Sequence, residues 1–318
     1  MAEKSESTRG FGLALLAFGI FATHDTLIKA LGGSYSVFQI IFFSTLFAFL
    51  PVTIVMMADR SVNNFRPHHP WLIMARTLCS LIAMTCAFYA FTVLPLTEVY
   101  ALLFATPLFI TVLSVPLLGE TVRLQRWIAV IVGFIGVMVV LRPGASEFTF
   151  GRGAALLAAA ASSFSNIIVR KIGSEERSAV LILFPMISSI LVMAALMPMV
   201  YQPVKLPDLG IMALIGVLVT FAQIAMIAAY RAAPAVVIAP VQYSQILWAV
   251  AFGYFFFNET PDIWVAVGAT IIISSGIFVV WRESRSNVSD EKPVTRIGNP
   301  RVDAGPSPKP KHRQVAQE

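Results

Sequence analysis

Polar and apolar positions in this chain fall into long blocks. After a polar start, MAEKSESTR at 1–9, ten apolar runs follow one another. They lie at roughly 10–30, 36–57, 70–92, 96–117, 124–142, 151–171, 179–200, 208–230, 235–257 and 262–282. Most are close to the ~20 residues that carry a helix across a bilayer core. The breaks between them are short and often marked by Pro or Gly, as in LGGSYS, DRSVNNFRPHHP, RPGASEF and QPVKLPD. In lipid each spanning segment must satisfy its own backbone, and barrel strands would alternate over ~10 residues. The unbroken runs therefore predict an all-α membrane protein with ten transmembrane helices. From Glu283 to Glu318 the chain is polar and rich in Pro, Lys and Arg, which predicts a disordered tail.

The pattern occurs twice. PLTEVYALLFATPLFITVLSVPLLGET begins at Pro95, and PAVVIAPVQYSQILWAVAFGYFFFNET begins at Pro234. In each, 25 positions separate the proline from the glutamate, Glu120 or Glu259, and a later run carries a glycine, Gly136 or Gly276. Gly10-Phe-Gly12 and Gly151-Arg-Gly153 open two longer units. Asp25 and Lys29 in the first stand where Asn166 and Arg170 stand in the second. Two halves follow, 10–144 and 150–282, of five spans each. An odd number of spans obliges the second half to enter from the opposite face, which makes an inverted repeat.

Composition agrees. Of 318 residues, 57% are hydrophobic and 13% charged, half the charge of an ordinary soluble chain. The mean hydropathy is +0.78. The net charge of +6 sits in loops and tail, as membrane insertion requires, which argues against nucleic acid. With the N-terminus inside, the inner segments hold Lys4, Arg9, Arg60, Arg66, Arg123, Arg126, Arg170, Lys171, Arg177, Arg231, Arg282 and Arg285. The outer ones hold Arg142, Arg152, Lys205 and Lys29. Both termini are expected in the cytoplasm, in an inner membrane. The first run lacks a small-residue cleavage site and is expected to remain as a span. Cys79 and Cys86 stand about 10 Å apart on one helix, too far for a disulfide.

PLLGETVRLQRW at 116–127 with Gly136, and FFFNETPDIW at 255–264 with Gly268 and Gly276, resemble the repeat endings of the EamA branch of the drug/metabolite transporter superfamily. The resemblance covers 10–282 and departs at Asn258, where the first half has Gly119. It implies a ten-helix carrier with a central cavity and alternating access. It implies as cargo an amino acid, amine, vitamin, nucleoside or similar metabolite.

Ionisable groups inside a membrane are functional candidates by default. His24 and Asp25 are the foremost: Asp25 either faces the cavity or pairs with Lys29 one turn on. Arg76 either snorkels to headgroups or takes a substrate carboxylate or phosphate. Glu98 guides a ligand or caps its helix. Glu120 and Glu259 are expected to turn the chain. Gln242, Tyr243, Gln245 and Trp248, with Tyr89, Tyr100, Gln223 and Tyr230, predict a cavity lined by amides and aromatics, or else polar contacts between helices. Pro107, Pro185 and Pro240 predict kinks.

There is no HExxH, CxxC, P-loop or GxSxG motif, so no catalytic residue, metal ligand or cofactor is expected. The function expected is secondary transport of a small organic metabolite. A riboflavin-like heteroaromatic vitamin is preferred, with amino acids, amines or S-adenosylmethionine-like solutes as alternatives. A membrane-embedded lipid-modifying enzyme is the remote rival, with a structural subunit beside it. Partners are the solute and the bilayer; monomer and homodimer are both left open.

Overall fold

The computed structural model describes residues 2–57, 67–122, 124–144, 147–173 and 175–285. The chain beyond 285, and Arg60, Arg66 and Arg123 of the basic set, lie outside the described residues. The described residues are helical and contain no strand. In order they form α1 (Ala2–Gly32), α2 (Val37–Met57), α3 (Pro70–Val93), α4 (Leu96–Leu103), α5 (Thr106–Leu118) and α6 (Leu124–Leu141). The second half continues with α7 (Phe150–Ile172), α8 (Ser178–Val200), α9 (Leu206–Ala232), α10 (Ala235–Ile238), α11 (Gln245–Phe257) and α12 (Ile263–Arg285). A 3-10 turn, Ala239–Ser244, joins α10 to α11. Eight of these segments, α4 and α5 counted together, are long and apolar enough to cross a membrane, and Ile263–Val279 is a shorter apolar helix. The expected ninth span, 235–257, is interrupted by the 3-10 turn. α1 begins at Ala2, within the polar start, and its apolar stretch begins at Thr8.

The packing follows the repeat. α1 lies along α9, α3 along α7, and α6 along α12. The first helix of each half thus packs on the third helix of the other, and the two fifth helices pack together. Lipid supplies no hydrophobic drive between helices, so close approach of small residues matters most. At the α6–α12 crossing a Cβ on Gly136 would stand 2.9 Å from the Gly268 carbonyl oxygen, and one on Gly268 2.7 Å from that of Gly136. Ser275 Oγ donates to the Ala129 carbonyl across the same contact. On α3 the outward stripe is Trp71, Met74, Leu78, Tyr89 and Val93, all exposed, as a lipid-facing surface is.

The departure at Asn258 has a conformational reason. Gly119 ends α5 with φ +70°, and Asn258 ends α11 with φ +54°. Both are left-handed caps, which glycine and asparagine adopt at least cost. The next residues turn alike: Glu120 N–H donates to the Ser114 carbonyl, and Glu259 N–H to the Gly253 carbonyl.

Candidate functional site

Two spans are broken at equivalent positions. α4 stops at Leu103 and α5 starts at Thr106; in the other half the 3-10 turn separates α10 from α11. The prolines cause the breaks, because each lacks the N–H a continuing helix would donate. Pro107 leaves the Leu103 carbonyl without its helical donor, and Thr106 Oγ1 donates to it at 2.7 Å. Pro240 opens the other break. Nine residues after Pro95 and Pro234 come Phe104 and Tyr243. Their rings meet edge to face with centroids 5.1 Å apart. The contact extends through Tyr100, 6.3 Å from Phe104, to Phe91, 5.5 Å from Tyr100. The Tyr243 hydroxyl lies over Gly276, where an added Cβ would stand 1.9 Å from it. Glycine at 276 is what admits the tyrosine.

Asp25 sits beside this junction with 0% exposure. Its Oδ1 is 2.8 Å from His24 Nδ1, and its Oδ2 accepts the Tyr100 hydroxyl. The His24 ring stands edge-on to Phe88 at 5.9 Å. Three helices therefore fix one carboxyl group: α1 supplies it, α3 braces its histidine, and α4 donates to it. Such a group can hold a cation or a proton, since either one relieves the cost of a buried negative charge.

The expected amides and aromatics divide. Gln245 is buried with its Nε2 donor unpaired, and the neighbouring Ser244 hydroxyl is also unpaired. Trp248 is half-buried against α1, its ring 3.3 Å from where a Cβ on Gly19 would stand. Gln242, Gln223 and Tyr230 are half-buried. Tyr89 stands apart from these. It is 37% exposed and lies on the outward stripe of α3, eighteen residues and five full turns from Trp71. Arg76 is buried and distant from the junction. Twelve residues of α3, roughly 18 Å, separate it from Phe88.

Two ion pairs join the halves, and the sequence reading missed both. Lys29 Nζ lies 2.8 Å from Glu259 Oε1 and also donates to the Leu94 carbonyl. Glu259 Oε2 accepts the Leu96 N–H at 3.1 Å. In the mirror arrangement Arg170 grips Glu120 with both terminal nitrogens, Nη1 at 3.1 Å from Oε2. Each pair takes its base from the first helix of one half and its acid from the end of the fourth span of the other. They sit at opposite ends of the α4–α5 span, 23 residues and roughly 35 Å long, because Glu259 binds Leu96 and Glu120 follows Leu118. The matched spacing of Lys29 with Arg170 and of Glu120 with Glu259 was the available signal. Glu98, weighed as a ligand guide or cap, bonds Arg152 at 2.6 Å. His69 Nε2 meets Glu175 at 2.6 Å. Outside the spans, Arg142 pairs with Asp262, whose carboxyl is held below its ordinary range first by the Trp264 N–H and also by Arg142.

The sequence profile of the EamA-like transporter family matches this chain twice, over residues 8–142 and 149–281. The chain belongs to the EamA-like transporter family. Among EamA-like relatives, the S-adenosylmethionine uptake transporter of Rickettsia prowazekii is 28% identical over 280 residues, covering 86% of this chain and 92% of its own. The pseudopaline exporter of Pseudomonas aeruginosa is 24% identical, covering 83% and 93%. The riboflavin transporter of Rhizobium johnstonii is 26% identical, covering 75% and 79%. A crystal structure aligns with 89% of this chain and 99% of its own at a TM-score of 0.56 and 17% identity, a likeness of fold alone. This EamA-like chain is a multi-pass membrane protein and a small-molecule transporter.

Proposed function

We propose that this chain is a secondary carrier in the inner membrane, with ten spans in two inverted halves and both termini in the cytoplasm. Its solute is an organic cation bearing a flat heteroaromatic ring, of the S-adenosylmethionine class. One observation carries the reading: the breaks of two repeat-equivalent spans meet at Phe104 and Tyr243, beside the buried Asp25–His24–Tyr100 cluster. Carriers of inverted-repeat design place their solute where discontinuous helices of the two halves meet, near mid-depth. Asp25 supplies the negative charge for a sulfonium or ammonium group. The ring faces of Tyr100, Phe104 and Tyr243 supply stacking and cation–π attraction. The names and identities of the Rickettsia relatives point the same way.

The cross-half ion pairs suit alternating access. Lys29–Glu259 closes the outer end and Arg170–Glu120 the inner end. Opening one while the other holds exposes the junction to one side at a time. No ATP-binding motif is present, so the carrier runs on a gradient or on exchange. It performs no chemistry on its cargo.

A neutral riboflavin-like solute is the second reading, favoured by the unpaired Gln245 amide and by the Rhizobium relative. Proteoliposome uptake of labelled S-adenosylmethionine and riboflavin decides. Saturable S-adenosylmethionine uptake lost in Asp25→Asn supports the first reading, and riboflavin uptake indifferent to that substitution supports the second. Uptake of neither removes both.

A further inference from the structure

Arg76 is one of the largest fully buried side chains in the protein, 2% exposed on the inward face of α3. Its Nε and Nη1 find no hydrogen-bond acceptor, and the hydroxyl of Thr77, the next residue, has no partner either. Three other arginines each have an acid close by: Arg142 has Asp262, Arg152 has Glu98, and Arg170 has Glu120. A guanidinium cannot shed its charge as an amine can, and burying one without a counter-ion costs several kcal/mol. Snorkelling does not relieve Arg76, because a snorkelling head group reaches the interface and this one is enclosed.

Its place in the packing gives it a purpose. Ser80 Oγ and Ser165 Oγ bond across the α3–α7 contact at 2.9 Å. Below that rung, Ile73 of α3 shares an apolar cluster with Ile168 and Ile172 of α7. Arg76 lies between these levels, one turn from Ser80. That is the depth at which Arg170 holds Glu120, the pair that closes this end of the molecule. The half-to-half offset, 141 for Lys29 and Arg170 and 139 for Glu120 and Glu259, sets Ile215, Gly216 and Val217 in the equivalent place of the other half. There α9 is apolar and tight, a Cβ on Gly216 meeting the Ser44 carbonyl oxygen at 2.4 Å. Among the described residues, the buried cation on α3 has no counterpart at the equivalent place on α9.

We infer that Arg76, with the Thr77 hydroxyl, is a second binding station on the inner half of the path, and that it takes the carboxylate or phosphate of the travelling solute. The two stations, roughly 18 Å apart along α3, are visited in turn: Asp25 selects the cationic part and Arg76 receives the anionic part as the inner pair opens. The inference rests on the transport reading above and adds a demand to it: the solute is a zwitterion or an anion-bearing cation.

The test uses the full-length purified protein in detergent and in proteoliposomes, as wild type, Arg76→Lys and Arg76→Met. The probes are S-adenosylmethionine, its decarboxylated analogue and inorganic phosphate. Wild type is expected to be stabilised thermally by S-adenosylmethionine and to transport it at least tenfold faster than the decarboxylated analogue. Arg76→Met abolishes that preference while still carrying the analogue, and Arg76→Lys keeps part of it. If Arg76→Met prefers S-adenosylmethionine as strongly as wild type, the inference is overturned and the transport reading stands. If S-adenosylmethionine neither binds nor moves, the substrate reading fails; phosphate stabilisation of wild type but not of Arg76→Met then still upholds an anion station. Absence of that stabilisation overturns it. Arg76-dependent stabilisation that appears only with anionic lipid makes a headgroup the counter-ion and also overturns it.

Discussion

Breaking the Lys29–Glu259 pair should favour opening of the outer end. Its charged atoms are 2.8 Å apart, with side chains 11% and 19% exposed. Coulomb attraction at that distance and an effective dielectric near 20 is about 6 kcal/mol. Desolvation of both ions and residual water access offset most of it, leaving ~1–3 kcal/mol for a partly buried pair. In the proposed cycle that energy belongs to the outward-closed state only. Lys29→Met should therefore raise the open-to-closed ratio at this end by about 5- to 150-fold. The assay is labelling of a reporter cysteine at Thr26, one residue from Asp25, in a Cys79→Ser, Cys86→Ala background. A membrane-impermeant thiol reagent is added from outside. Lys29→Met should speed labelling by that factor. Arg170→Met, which loosens the other end, should slow it. The exchange Lys29→Glu with Glu259→Lys should return the rate towards wild type. Equal labelling in Lys29→Met and Arg170→Met, or no recovery in the exchange, would refute the pairs as opposed closures.

Four further outcomes are expected. Tyr100→Phe removes a hydrogen bond to a carboxylate, of about 1.5–3 kcal/mol, and should weaken binding of S-adenosylmethionine roughly tenfold or more by titration calorimetry. Gly276→Ala drives a methyl group into the Tyr243 hydroxyl and should lower thermal stability by about 1–3 kcal/mol; the double variant with Tyr243→Phe should recover much of it. Gly119→Ala strains a left-handed cap by ~1 kcal/mol, whereas Asn258→Gly should be neutral or slightly stabilising, both read by thermal melting. Asp262 is ionised below its ordinary pKa of 3.8 when folded, so its stabilisation is complete above that value and disappears as pH falls through the depressed one. The melting difference between wild type and Asp262→Asn should be constant from pH 7 to 5 and shrink below pH 3.8.

How far the sequence went depends on which physical constraint each feature obeys. Eight of the expected spans were legible because lipid forces every backbone group into a helix over a fixed thickness. The start of the first helix was not, since hydropathy says where lipid ends and not where a helix ends; α1 begins at Ala2, ahead of the apolar stretch from Thr8. Pro107 and Pro240 announced bends, but only the structure shows that both breaks meet and that Phe104 and Tyr243 touch there. Asp25 was singled out from the cost of its charge. Its partners His24 and Tyr100 were each singled out, but their meeting depends on the α1–α4 crossing. Glu120 and Glu259 were read as chain-turning residues, since neither suits the other as a partner. Their bases lie in the opposite half, a pairing visible only once the two halves are interleaved. Tyr89 was grouped with the other aromatics, although tyrosine composition does not say which face of a helix it occupies. Its eighteen-residue spacing from Trp71 held that information.

The most direct measurement is counterflow of labelled S-adenosylmethionine in proteoliposomes loaded with unlabelled solute, comparing wild type with Asp25→Asn. Both proteins are reconstituted to the same level and checked for equal melting temperature. Accumulation by wild type and its loss in Asp25→Asn is the expected result. Equal accumulation by the two would show that the solute does not pass by way of the carboxylate at the junction.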